Sequence, residues 1–233
     1  MYPAYFSFNY WCFMGPAILL MLITQWYVNS AYNKWSRVPS RRRITGAEAA
    51  ERLIRTAGLH QVRVEGIAGQ LSDHYDPRSK VLRLSSGVSQ GSSVASLAIA
   101  AHELGHAMQD HENYLPLRFR AALVPAVNIG SYLGWILIMA GLLLGSTGLA
   151  WVGVAVFGSG ALFALATLPV ELDASSRAKR LLSEGGFISD DEERRGVNTV
   201  LNAAALTYIA ALVTAVMQLL YYASLIMGRG RRR

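Results

Sequence analysis

A single cysteine, Cys12, stands in the 233-residue sequence, so the chain can form no intrachain disulfide and no thiolate metal cluster. Charge is sparse as well, with 16% of residues Asp, Glu, Lys or Arg against 52% hydrophobic. Residues 1–10 carry no positive charge. A cleaved signal peptide carries one before its apolar run, so the first such run is expected as a retained anchor. Internal repeats and long low-complexity tracts are also missing. The formal net charge of +7 and the pI near 9.8 come without an aromatic-interleaved basic sheet or a recognition helix, so nucleic acid is not an expected partner.

What is present is apolar sequence gathered into long runs, with a mean hydropathy of +0.27. Crossing a hydrocarbon core takes roughly 20 helical residues, and four uncharged runs approach or reach that length: Trp11 to Val28, Leu123 to Gly145, Leu149 to Val170, and about Ala203 to Met227. Trp11, Trp26, Tyr27, Trp151, Tyr221 and Tyr222 fall near their ends, where amphipathic rings settle at the membrane interface. Basic residues cluster beside the runs: Lys34, Arg37 and Arg41 to Arg43 after the first, Arg118 and Arg120 before the second, Arg177, Lys179 and Arg180 after the third. This pattern fits anionic lipid and the positive-inside rule, and it places 29–122 and 171–201 in the cytoplasm. The tail Arg229, Arg231, Arg232 and Arg233 opposes that arrangement, which leaves open a partial or re-entrant last segment. The expected organisation is an anchor at 1–28, a catalytic region at 29–122, a transmembrane hairpin at 123–170, a polar loop at 171–201, and a last helix with a basic tail at 202–233.

In the polar region, "TGAEAAERLIRTAGL" predicts a helix with a capping box between Thr45 and Glu48 and a stop at Gly58. Alternation at Val62 and Val64 predicts a strand, and "LSDHYDPRSKVLRLS" predicts two extended pieces around an Asp76-Pro77 turn. "SSGVSQGSS" reads as a flexible connector whose last serines cap the next helix.

That helix, about Ser93 to Glu112, has a stripe of Leu97, Ala101, Leu104 and Met108 to bury, with His102, His106 and Gln109 on roughly the opposite side. Histidines four apart share one helical face, so both rings can reach a single Zn²⁺ at about 2.0–2.1 Å. Glu103 stands beside them, completing an HExxH pattern in which the glutamate takes a proton from a zinc-activated water. The plainer alternative is two solvated helix histidines.

A catalytic zinc needs a third protein ligand. A hairpin of the second and third runs returns the chain to the same side at "LPVELDASSRAKRLL", offering Glu171 and, two residues on, Asp173. Glu171 could instead be an interfacial acid paired with Arg177 or Lys179. Asp173 is an alternative ligand, or a group that orients a histidine from behind.

"AHELGHAMQD", "LRFRAALVPAVNIGSYLGWILIMAGLLL" and "LPVELDASSRA" resemble the YugP-type neutral zinc metallopeptidases of bacterial membranes, over most of the chain. The chain is more distantly similar to HtpX-type membrane peptidases and CAAX prenyl endopeptidases. The resemblance implies His102, His106 and Glu171 as ligands and Glu103 as catalytic base, a gluzincin-like set, with Zn²⁺ as cofactor. The distant families carry Glu-x-x-Ala-Asp, whereas here Leu172, Asp173, Ala174 and Ser175 follow Glu171. Asp173 and Ser175 are therefore both candidates for supporting a zinc ligand.

Weaker candidates are His74 and Tyr75, as cleft-bordering groups able to stabilise an oxyanion, and Lys80 to Ser85, as a sheet edge for an extended peptide. His111 is expected to be exposed, and "DDEERR" at Asp190 to Arg195 to be a solvated loop or a helix start. The fold expected is a mainly α membrane protein of about four transmembrane helices with a small α+β zincin-like domain. Its expected partners are a peptide or membrane-protein substrate and the bilayer, with a membrane assembly or homo-oligomer as a further reading. The expected function is a membrane-embedded zinc endopeptidase; the alternative is a quality-control scaffold or adaptor with a structural zinc.

Overall fold

The computed structural model describes residues 8–230, with side chains through residue 228; Arg231 to Arg233 and the Arg229 side chain of the basic tail lie outside the described residues. The elements follow in the order α1 (Phe8–Trp35), α2 (Gly46–Thr56), β1 (Arg63–Ile67), β2 (His74–Asp76), β3 (Val81–Ser85), α3 (Ser86–Ser89), α4 (Val94–His111), α5 (Leu115–Leu144), α6 (Thr147–Phe157), α7 (Ser159–Glu184) and α8 (Asp191–Gly230). Four helical stretches are long and apolar enough to cross a membrane: Phe8–Trp35, Leu115–Leu144, Thr147–Glu184 and Asp191–Gly228. The chain divides into two compact units, and each of these four stretches contributes residues to both.

The first unit takes α1 through Thr24, Arg118–Leu168, and α8 from Thr207. Small residues decide its packing. A Cβ on Gly134 would lie 2.5 Å from the Phe157 nitrogen, one on Gly141 2.4 Å from the Ala150 nitrogen, and one on Gly153 2.5 Å from the Ile138 nitrogen. Close backbone approach through glycine is how helices pack where lipid removes the hydrophobic drive. Tyr221 and Tyr222 pack with Ile138, Tyr10, Phe13 and Phe157. Trp11 and Trp151 remain exposed.

Two of the expected spans differ in extent. The third is interrupted at Gly158 but keeps a helical course: the Gly158 N–H donates to Val154 O at 2.9 Å and its carbonyl accepts from Leu162 at 3.0 Å. The last segment is one continuous helix, not a partial one, and begins a dozen residues before Ala203. "DDEERR" is its start. Asp190 accepts from the Glu193 N–H at 2.8 Å, and Asp191, Glu192 and Glu193 occupy the first turn, where the helix dipole favours negative charge. Glu193 is buried because it also accepts from the backbone N–H groups of Arg41 (2.9 Å) and Ser189 (2.7 Å).

The second unit comprises Gln25–Leu117 and Pro169–Leu206. Helix α2 starts with the expected capping box: the Glu48 N–H donates to Thr45 Oγ1 at 3.2 Å and the Thr45 N–H to Glu48 Oε2 at 3.0 Å. Gly58, with φ +70°, takes the left-handed conformation that ends it. The core gathers Leu53 and Ile54 of α2, Leu82 and Leu84 of β3, Leu97, Ala101 and Leu104 of α4, Ala178 and Leu182 of α7, and Val197 and Leu201 of α8.

The sheet runs in the order β1-β3-β2, with β1 parallel and β2 antiparallel to β3. Lys80 to Ser85 is therefore not a free edge. β3 is flanked on both sides, as its buried Val81, Leu82 and Leu84 require. The serine-rich connector is also more ordered than expected. It forms the single turn α3, anchored by buried Val88, before Ser93 caps α4 by accepting from the Ser96 N–H at 3.1 Å.

Candidate active site

Helix α4 turns its small and aliphatic side toward the core, which leaves His102 and His106 one turn apart on the other side. Their rings are 4.9 Å apart and nearly perpendicular. Helix α7 brings Glu171 against them. Glu171 Oε2 lies 3.3 Å from His102 Nε2 and 3.5 Å from His106 Nε2. One donor atom from each of the three side chains falls within 4.8 Å of the others.

Two imidazole nitrogens and a carboxylate oxygen are an ordinary zinc donor set. At bond lengths near 2.0–2.1 Å, two ligands of a tetrahedral ion stand about 3.3 Å apart. The two separations from Glu171 match that edge, so the residues present fit the ion. Glu171 is only 2% exposed, and Arg177 and Lys179 do not neutralise it. Arg177 pairs with Asp173 and Glu112, and Lys179 donates to Asn202.

The other nitrogen of each imidazole is also engaged. His102 Nδ1 lies 3.2 Å from Ser175 Oγ, and His106 Nδ1 lies 3.0 Å from Gln109 Oε1. Ser175 is one helical turn after Glu171, so a single face of α7 supplies both a donor atom and the support for His102. Asp173 does not touch a histidine. Its carboxylate accepts from Gln109 Nε2 at 2.9 Å and from Arg177 Nε at 2.6 Å. Gln109 was legible only as a polar residue on the histidine side of α4; its spacing of three from His106 was the available signal.

Glu103 faces the strand side. Its Oε2 accepts from the Tyr75 backbone N–H at 3.2 Å. Burial pushes the Glu103 carboxyl above the usual carboxylate range; His102 and His106 oppose the shift, while Glu171 and Asp73 add to it. The Tyr75 hydroxyl donates to Asp110 Oδ2 at 2.7 Å, and Lys80 Nζ reaches the same oxygen at 2.5 Å. Burial and that carboxylate both raise the phenol's pKa. Tyr75 thus braces β2 on α4 through its backbone and its side chain. His74 is exposed, with Nδ1 2.8 Å from Ser72 O, and His111 is exposed beside Gln61, so the structure brings neither to the cluster.

The approach of α7 to α4 depends on Gly105. A Cβ there would lie 2.5 Å from Ala174 O and 3.1 Å from its carbonyl carbon. In an exposed helix, Gly to Ala gains about 1 kcal/mol of propensity. Gly105→Ala is expected to do the reverse, destabilising by about 1–3 kcal/mol through overpacking against backbone, and to weaken zinc binding. Denaturation midpoints with and without zinc measure both effects.

A four-span helical protein with a small sheet and a converging His₂Glu donor set has the build of a membrane metallohydrolase. The chain belongs to the family described as "Putative neutral zinc metallopeptidase", whose profile matches residues 10–227. It is similar to the "Putative membrane protease YugP" of Bacillus subtilis (strain 168), with 43% identity over 212 residues, 91% of this chain and 94% of that protein. No solved structure matches the chain. By family and composition it is a membrane protein of a zinc peptidase family, with Zn²⁺ as cofactor and peptides as substrate class.

Proposed function

We propose that this chain is a membrane zinc endopeptidase of the HExxH type, with a zincin-like α+β catalytic region formed by segments 29–122 and 171–201. In this reading His102, His106 and Glu171 hold the metal as a gluzincin-like set, and Glu103 is the general base. The observation that carries it is the convergence of the half-buried His102 Nε2 and His106 Nε2 on the buried Glu171 Oε2, with the Glu103 carboxyl immediately alongside in sequence.

A zinc ion in that site supplies a Lewis acid that polarises the scissile carbonyl and acidifies a water. The chain's own residues do the rest. Glu103 accepts the proton as water attacks the carbonyl carbon, and later delivers it to the departing amine nitrogen. The Tyr75 N–H holds one Glu103 oxygen, so the side chain is oriented before substrate arrives. Ser175 and Gln109 hold the imidazoles from behind. The juxtamembrane bases Lys34, Arg37, Arg41 to Arg43, Arg177, Lys179 and Arg180 support a site on the cytoplasmic side.

The test uses the full chain purified in detergent. The expected result is one zinc per chain and cleavage of an unmodified peptide, abolished by chelation and restored by zinc. Zinc without cleavage would indicate the scaffold role instead, and cleavage confined to prenylated peptides would restrict the substrate to lipidated ones.

A further inference from the structure

Gln109 is fully buried on α4 and makes three hydrogen bonds that together leave its amide one orientation. Its Nε2 lies 2.7 Å from Val170 O and 2.9 Å from Asp173 Oδ2. A carbonyl and a carboxylate only accept, so the end facing them must be the NH₂ group. The flipped amide would set oxygen against oxygen twice. The amide oxygen is thereby committed to His106 Nδ1 at 3.0 Å. Because that oxygen also only accepts, the proton of neutral His106 must sit on Nδ1. Nε2 keeps its lone pair, on the side where Glu171 Oε2 lies 3.5 Å away.

We propose that Gln109 is a positioning residue that fixes the tautomer and ring orientation of His106 and, through the Val170 carbonyl, sets α7 one residue before Glu171. This rests on the reading of His106 and Glu171 as metal ligands and deepens it. Asp173 then acts at one remove. It holds Gln109 and is itself held by Arg177 Nε at 2.6 Å, while Arg177 Nη1 donates to Glu112 Oε2 at 2.7 Å. Between Asp173 and His106 stands the Gln109 amide. The other histidine is governed differently. Ser175 Oγ can donate or accept, so it steadies His102 without dictating which nitrogen carries the proton.

The experiment measures zinc affinity of the full chain in detergent by competition with a chromophoric chelator. Gln109→Met keeps the volume and loses every polar contact, and is expected to weaken zinc binding about 10–100-fold. Gln109→Glu alone sets a carboxylate against Asp173 and is expected to be no better. In the zinc-loaded chain the His106 Nδ1–H is expected to be hydrogen-bonded in wild type, shifted downfield and slow to exchange with solvent, and to lose both signs in Gln109→Met. A packing role predicts no such change, so an unaltered His106 Nδ1–H signal in Gln109→Met would overturn the proposal, as would Gln109→Met binding zinc like wild type. If the variants do not fold, ¹⁵N-histidine NMR of the zinc-loaded wild-type chain decides. A protonated Nδ1 and metal-bound Nε2 on His106 support the inference, and the opposite tautomer ends it. A wild-type chain that takes up no zinc would overturn the metal reading itself.

Discussion

Glu103→Gln is expected to bind zinc as wild type does and to lose peptide cleavage by about 10²–10⁴-fold, the range that a positioned general base contributes. The substitution keeps the size of the side chain and an oxygen able to accept from the Tyr75 N–H, which now lies 3.2 Å from Glu103 Oε2. It removes the ability to take a proton from water. The donor atoms of His102, His106 and Glu171 are untouched, so metal content separates a chemical loss from a structural one. Zinc stoichiometry and single-turnover cleavage, measured on the same preparation, check the prediction; equal cleavage by both proteins would exclude Glu103 as base.

The largest effect on metal binding is expected from Glu171→Ala. Removing an outer partner of a zinc ligand costs about 10–100-fold in affinity, so removing a ligand outright should exceed that. The carboxylate faces both Nε2 atoms, at 3.3 and 3.5 Å. A ligand that binds only the folded state at a thousand times its dissociation constant adds about 4 kcal/mol of stability. Zinc should therefore raise the unfolding midpoint of wild type and leave that of Glu171→Ala where it was. A zinc-dependent rise of wild-type size in the variant would remove Glu171 from the ligand set.

The parts of this arrangement legible in the sequence were those with local causes. The two histidines on one face of α4, the Thr45–Glu48 cap and the Asp76-Pro77 turn depend on spacing within a few residues, and each is found. Glu171 was reachable because a hairpin fixes where the chain returns. Strand order was not: β3 became the central strand through pairing with both β1 and β2, which no local pattern reveals. The roles of Asp173 and Gln109 were hidden for a related reason. Which of two polar side chains meets a histidine depends on how deeply α7 sits against α4, and Gly105 sets that depth through a contact with Ala174 that is invisible in either segment alone.

The discontinuity of the second unit has a consequence for timing. His102 and Glu171 are 69 residues apart, with the whole apolar hairpin translated between them. At roughly 5–20 residues per second, a ribosome needs on the order of ten seconds to cover that distance. During this interval the nascent chain has both imidazoles and the Glu103 carboxyl but not the oxygen that closes the donor set. If these three side chains are the ligands, as proposed, hydrolytic competence arrives only after the two central apolar segments have been made, and a copy that has not yet reached Glu171 is inert.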